Sequence, residues 1–393
     1  MNEQSKSKIR CPNCFEHFAL KQTQFRCSNK ACAPQNDLEY AHFLGVPQMM
    51  AGFVISEPGV KAIKNGSSNC PQCAQDTVIH ICPNCHGEVP AKPWRSPSLT
   101  LSIVGSTGAG KSVYLTVAMN NLTTNLPAIL GAESGVSIAS GTTRSKIHAN
   151  EDLLITKGQA LQTTQSKILN PDVRLPFLFN LSSWQYRRGL RPLKKKLDTF
   201  LSIYDAAGED FNDQSDTHTL KQIPMADGLI MFIDPLSLPG FAQAIGQNQA
   251  GQHPSQILDA FYNVYVLQQG GKLNMGDKIG VPTAFILGKA DLYEPWITTQ
   301  PNIMNVAEHK GGVDVQALER SSTATEAVLN QLGGNALIEV IKNRFENFHF
   351  FPVRSGTPYK DAAGNDKFQV QPFRVLDPLL WIILQNNRLP ALD

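Results

Sequence analysis

Residues Gly105 to Ser112 read "GSTGAGKS" and fit the pattern GxxxxGK[ST] without a mismatch. Three glycines, Gly105, Gly108 and Gly110, free the backbone to curl. The amides of Gly105, Ser106, Thr107, Gly108, Ala109, Gly110, Lys111, Ser112 and Val113 can then wrap a chain of phosphates. Lys111 is long enough to reach the β- and γ-phosphates, and the Ser112 hydroxyl suits Mg²⁺. Such a loop holds a triphosphate. It does not select a base or say how the stored energy is used.

Residues further along supply both answers. "FLSIYDAAGED" places Asp205 at the end of an apolar run, with Gly208 three residues on. This DxxG spacing suits a carboxylate that holds Mg²⁺ through water and a glycine amide that meets the γ-phosphate. Hydrolysis then breaks a contact and frees the loop. A strand-end acid of the ATPase kind would not need Gly208. "FILGKADL" carries Gly288, Lys289 and Asp291 in the manner of the [NT]KxD box. Its aspartate accepts two hydrogen bonds from the N1–H and N2–H₂ edge of guanine, which adenine cannot offer. The lysine stem packs on the base. Gly288 stands where Asn or Thr is usual. "FFPVRSG" ends a strand at Ser355, where a short loop would bring its backbone to the guanine O6. Thr164, with Thr163 as its alternative, is the expected residue covering Mg²⁺. Glu209 follows the DxxG at a place where a glutamine often orients the attacking water. A carboxylate there repels the γ-phosphate. The expected catalytic group is therefore Lys111, Thr164, Gly208 and Glu209, with slow hydrolysis unless a partner or oligomer completes the site.

The chain has eight cysteines, all between Cys11 and Cys85. They form four pairs: Cys11 with Cys14, Cys27 with Cys32, Cys70 with Cys73, and Cys82 with Cys85. A two-residue gap lets both thiolates of a tight knuckle face one metal, and two pairs complete a closed, structural Cys₄ site. Two zinc ions are therefore expected. The simplest pairing is sequential: Cys11, Cys14, Cys27 and Cys32, then Cys70, Cys73, Cys82 and Cys85. A crossed pairing remains open. His17, His80 and His86 lie near the knuckles and read as surface residues, since the thiolates suffice.

Something must hold these groups in place. Near-continuous apolar runs, "SLTLSIVG", "RLPFLFNL", "LDTFLSIYD", "GLIMFID", "VPTAFILG" and "NFHFFPVRS", alternate with helical patterns such as "KSVYLTVAMNNL", "PSQILDAFYNVYVLQQ", Asp314 to Phe345 and "VLDPLLWIILQNN". That alternation predicts an α/β fold: a mainly parallel sheet with helices on both faces. The expected domains are 1–95, a zinc-ribbon module, and 96–393, the nucleotide domain, joined by a proline-punctuated linker from Val89 to Pro97. The Gly/Ser/Thr-rich stretch Gly131 to Thr143 reads as a mobile loop. "YRRGLRPLKKK" reads either as a solvated hairpin tip or as a docking surface. Asp234 reads as a loop cap, and Trp381 as core.

Composition narrows the class. At 393 residues, 42% of them apolar and 17% charged, the chain can bury large cores. A net charge of +2 gives no global pull toward nucleic acid or membrane. No apolar run is long enough to span a bilayer, and "MNEQSKSKIR" lacks an apolar signal core. A cytoplasmic location without a membrane span is expected. Nucleic acid is not an expected partner, because Lys6 to Lys30 holds no dense basic cluster.

The ordered set "GSTGAGKS", "TT", "DAAG", "GKAD" and "RSG" resembles a Ras-like P-loop GTPase domain. With the cysteine pairs before it and "RVLDPLLWIIL" after it, the chain is similar to the bacterial double-GTPase family. That resemblance implies a GTP/GDP switch with Mg²⁺. It also implies protein partners, either GTPase-associated proteins or a second GTPase, in a multi-component system with a suggested defence role. Two rivals stay open on the residues alone: an ATPase using the same loop, and a zinc-ribbon nucleic-acid adaptor with a relic nucleotide site.

Overall fold

The computed structural model describes residues 8–90, 97–161, 175–187, 193–205, 223–246 and 253–392. The nucleotide domain is built on β1 (Ser98–Val104), α1 (Lys111–Leu130), β2 (Gly135–Ile138), α2 (Gly141–Glu151), β3 (Phe177–Arg187), β4 (Leu193–Asp205) and β5 (Gly228–Ile233). It continues with α3 (Pro254–Gln268), β6 (Thr283–Leu287), α4 (Val315–Gln331), α5 (Asn335–Arg344), β7 (Phe348–Pro352), β8 (Arg354–Lys360), β9 (Asp366–Phe373) and α6 (Asp377–Gln385). Seven strands form one sheet in the order β2-β3-β4-β1-β5-β6-β7. The pairs from β4 through β7 are parallel, and β2 and β3 add an antiparallel edge. The mainly parallel α/β sheet expected from the apolar runs is present.

Consecutive strand residues point to opposite faces, and the two cores follow that alternation. Ile230 and Phe232 join Leu101, Ile103, Ile286 and Phe351 under α1 and α6. Leu229, Met231 and Ile233 join Phe285, Leu287 and Phe350 under α3 and α5, with Phe261, Tyr262 and Ile341. Buried on both faces, β5 and β6 are apolar except for Thr283, whose hydroxyl donates to the Val281 carbonyl.

The second face is polar at β1 and β4. Thr100 pairs with Ser202, and Ser102 with Tyr204. All four are buried. Here the cysteine module lies on the sheet. Arg10 donates to Asp227 Oδ2 and Thr100 Oγ1, both at 3.1 Å, and Phe15 packs on Tyr204 with ring centroids 5.5 Å apart. Helices cover both faces as expected, except that this strip is shared with the cysteine knuckle.

The stretch Gly131 to Thr143 is not the loop that its composition indicates. It carries the edge strand β2, and Ser140 caps α2 by accepting from the Thr143 amide. Short side chains leave room for β2 to pair with β3 at Val136↔Leu181 and Ile138↔Phe179. β3 and β4 pair antiparallel out to Arg187↔Leu193, and the middle of the basic stretch, residues 188–192, lies outside the described residues. No helix among the described residues is long and apolar enough to cross a membrane.

Candidate functional site

The site is built at the carboxyl ends of the parallel strands. The chain leaves β1 for the antiparallel edge, returns to its side as β4, then crosses to β5 on its other side. Such a switch point leaves a crevice beyond the strand ends, where ligands of open α/β sheets bind. The loop Gly105 to Gly110 occupies that point. Its glycines take positive φ, +78° at Gly108 and +94° at Gly110. Gly105 is confined by packing as well: a Cβ there would come within 2.7 Å of Phe232 Cβ. α1 begins at Lys111, so its N-terminus faces the crevice.

Lys111 is buried and donates to the carbonyls of Gly105 at 2.7 Å and Ser106 at 2.9 Å. Its ammonium therefore lies within the loop that would hold the phosphates. Ser112 Oγ donates to Asp205 Oδ2 at 2.5 Å, across from α1 to the end of β4. Asp205 Oδ1 is buried without a hydrogen-bond partner among the described residues. A hydroxyl and a carboxylate in contact, with one acceptor left over, form a hard oxygen set that suits Mg²⁺. Thr163, Thr164, Gly208 and Glu209 lie outside the described residues.

Two strands across, Lys289 and Asp291 follow β6. Lys289 sits at φ +54° and its Nζ pairs with Asp234 Oδ2 at 2.7 Å. Asp234 does cap the turn after β5, by accepting from the Leu236 amide at 3.1 Å. Its second carboxylate oxygen fixes the lysine, a role that sequence reasoning missed. The signal was there: parallel register pairs Ile233 with Leu287, so the acid must stand beside the Gly288–Lys289 turn. Asp291 Oδ1 is buried without a hydrogen-bond partner among the described residues. Burial pushes the Asp291 carboxyl up from its ordinary value, against the pull of Arg354 and Lys289. A buried, unpaired acceptor at this place fits the two donors of a guanine edge.

Ser355 departs from expectation. It lies within β8, which pairs with β9 as a hairpin, and not in a short loop. Arg354, the residue before it, was also missed. Its guanidinium lies 3.7 Å from Glu294 and donates to the Gln371 carbonyl at 3.3 Å. Asp291, Glu294, Arg354, Thr357 and Gln369 wall a cleft of about 490 Å³. The β8–β9 hairpin thus forms one wall of the cleft beside Asp291.

The cysteines form two tetrads, and the pairing is crossed. Cys11, Cys14, Cys82 and Cys85 make one; Cys27, Cys32, Cys70 and Cys73 make the other. The sequential pairing is corrected, and a three-residue strand pair supplies the reason. Gln24–Arg26 runs antiparallel to Ile79–Ile81, with Gln24 opposite Ile81 and Arg26 opposite Ile79. Cys27 therefore emerges at the end where the Cys70–Cys73 knuckle enters, while Cys82 leaves at the other end. At about 3.3 Å per residue, the strand separates them by more than the width of a metal site. Sγ–Sγ distances are 3.7 and 3.9 Å in the first tetrad and 3.6 and 3.9 Å in the second. A disulfide needs about 2.05 Å. Four sulfurs about 2.3 Å from a tetrahedral zinc are about 3.8 Å apart, so both tetrads fit zinc.

Each CxxC folds alike. The residue after the second cysteine takes positive φ, at Phe15, Ala74 and His86, and its amide returns to the carbonyl of the first cysteine. The three histidines stay outside the tetrads, but only His17 is exposed. His80 is buried against Phe25 at 4.4 Å. His86 Nδ1 lies 2.6 Å from Asp37 Oδ1, while Arg26 holds Asp37 Oδ2 at 2.8 Å. Asp37 thus ties a neighbour of Cys85 to a neighbour of Cys27, linking the tetrads.

The crossed pairing makes a countable prediction. Cys14→Ser with Cys82→Ser should lose one zinc per chain by elemental analysis, and Cys14→Ser with Cys27→Ser should lose both. Sequential pairing would reverse the two results.

No protein-family model matches the chain, and no curated protein matches it in sequence. Among solved structures the chain is similar to the small GTPase Arl6 (BBS3) from Trypanosoma brucei with bound GppNp. Identity is 11%, 74% of this chain and 98% of that chain are covered, and the TM-score is 0.29. It is also similar to the SRb-GTP/SRX signal recognition particle receptor complex from Chaetomium thermophilum. There identity is 12%, coverage is 65% of this chain and 90% of that chain, and the TM-score is 0.27.

Proposed function

We propose that this chain is a guanine-nucleotide switch that binds GTP or GDP with Mg²⁺ and hydrolyses GTP slowly. Two structural zinc ions would hold its N-terminal module, residues 1–95, beside the nucleotide domain, residues 96–393. The observation that carries the reading is the order of groups along one sheet edge. Asp205, the phosphate loop, Asp234 with Lys289, and Asp291 follow the strand order β4-β1-β5-β6. The metal-type acid lies beside Ser112, and the base-type acid three strands along, with the loop between them. An ATP site would not need a buried carboxylate oxygen left open beyond Lys289.

In this reading Lys111 exchanges loop carbonyls for phosphate oxygens, and Ser112 with Asp205 holds Mg²⁺, Asp205 through water. Thr164, Gly208 and Glu209 would respond to the γ-phosphate. The GTP and GDP states must then differ in what they offer a partner. Protein partners, GTPase-associated or a second GTPase, in a cytoplasmic and defence-related setting are part of the proposal. Turnover is the test. Purified protein alone should hydrolyse GTP far below ten per second, and addition of the partner should raise the rate. Tens per second unaided, a good-enzyme rate, would overturn a partner-dependent switch.

Gly288 offers a sharper check. A Cβ there would meet Ala109 O at 3.5 Å and Phe232 Cδ1 at 3.6 Å, both ordinary contacts. The missing Asn or Thr is therefore not excluded by crowding. Gly288→Asn should fold normally and tighten GDP binding by about three- to tenfold, the worth of one net hydrogen bond. Weaker GDP binding by displacement titration would show that the loop is not shaped as a guanine box.

A further inference from the structure

Among the described residues, Tyr204 joins the first cysteine tetrad to the end of β4 beside Asp205. Tyr204 precedes Asp205 in β4. Adjacent strand residues project to opposite faces, and here the two faces carry different partners. Asp205 bonds Ser112 on α1 at 2.5 Å. The Tyr204 hydroxyl donates to the Pro12 carbonyl, inside the Cys11–Cys14 knuckle, and lies 3.4 Å from the Asn13 carbonyl. Its ring packs on Phe15, the residue that closes the knuckle.

The knuckle is pinned around that contact. Arg10, just before Cys11, pairs with Asp227 at 3.1 Å. Asn13 Nδ2 donates to the Glu88 carbonyl at 2.7 Å, joining the two knuckles of the tetrad. Glu88 Oε2 accepts from the Gly141 amide at 3.1 Å, at the start of α2. A Cβ on Gly87 would come within 2.7 Å of Asn13, so the knuckles cannot slide past each other. Closing the tetrad therefore fixes the Pro12 carbonyl relative to the sheet.

We propose that the Cys11/Cys14/Cys82/Cys85 zinc site and the Mg²⁺ site are energetically coupled through Tyr204. Tyr204 acts as a positioning residue: it holds the end of β4 so that Asp205 meets Ser112. The proposal rests on the nucleotide reading given above. Zinc in this tetrad then favours Mg²⁺·nucleotide, and Mg²⁺·nucleotide favours zinc to the same extent, because coupling free energies are reciprocal. Among the described residues the second tetrad makes no contact of its own with Tyr204 and reaches the first tetrad through the Asp37 bridge, so it should respond far less.

The test uses the full chain with both zinc ions. GDP binding is measured across a Mg²⁺ series and in EDTA, for wild type and Tyr204→Phe. The variant keeps the ring and loses one donor. It should raise the Mg²⁺ concentration for half-maximal GDP binding by about three- to tenfold and leave the EDTA affinity unchanged. A merely structural defect would lower both. In the same protein, zinc release to a coloured chelator is followed with and without Mg²⁺·GDP. Nucleotide should slow the release of one zinc ion far more than that of the other, and Tyr204→Phe should abolish the slowing. An unmoved Mg²⁺ dependence in Tyr204→Phe, or release that ignores nucleotide in the wild type, overturns the coupling alone. No Mg²⁺-dependent GDP binding by the wild type overturns the nucleotide reading and the coupling with it.

Discussion

Asp291→Asn should lower GDP affinity by about two orders of magnitude or more, while ADP affinity stays where it was. In the proposed complex the carboxylate accepts from the guanine N1–H and N2–H₂. Hydrogen bonds to a charged group contribute about 1.5–3 kcal/mol each. Two of them come to about 3–6 kcal/mol, a factor of roughly 10² to 10⁴. The amide keeps one acceptor and turns an NH₂ toward a guanine donor, so both contacts suffer. Folding should suffer little, because Asp291 Oδ1 has no hydrogen-bond partner among the described residues and Asn relieves the burial of a charge. The effect also has a pH signature. Burial raises the Asp291 pKa, and only the ionised form accepts both bonds. GDP binding should therefore weaken on acidification from a higher pH than for an ordinary aspartate. The Asn variant should lack that dependence. Equal GDP affinity in wild type and variant would remove Asp291 from the base site.

Trp381→Ala should lower stability by about 3–5 kcal/mol, the usual loss for truncating a buried aromatic, and lower Tm by roughly 10 °C. Trp381 is 0% exposed in α6. Its ring lies 4.6 Å from His349 and 5.9 Å from Phe351, both on β7. The same helix presses on β5 so closely that a Cβ on Gly228 would come within 2.3 Å of Ile382. Leu267→Ala on α3 is the control. That side chain is 74% exposed and should change Tm by less than about 1 °C. Thermal denaturation of both variants checks the contrast. A Trp381→Ala shift as small as that of Leu267→Ala would mean that α6 is not part of the core.

The central sheet was legible because its strands are buried on both faces. "GLIMFI" and "AFIL" cannot alternate with polar residues and still be covered, so they appear as unbroken apolar runs. The phosphate loop was legible for a different reason: its glycines answer a local backbone demand. The crossed tetrads were not legible. They depend on Gln24–Arg26 meeting Ile79–Ile81, strands too short to leave a period in the sequence. The β8–β9 hairpin was missed because "RSGTPYK" is mostly polar and half-buried at best. Ser355 was consequently expected in a loop. Asp234 was read only as a cap, since its second partner, Lys289, is 55 residues away and is brought near by strand register alone. Thr164, Gly208 and Glu209 keep the roles assigned from the sequence, as proposals outside the described residues.

Calorimetric titration of the zinc-loaded chain with GDP and with ADP, each in the presence of Mg²⁺, tests the central claim most directly. Asp205 and Ser112 beside the phosphate loop, with Asp291 beyond Lys289, predict saturable GDP binding at least a hundredfold tighter than ADP. Tight ADP binding with no GDP binding would contradict the account.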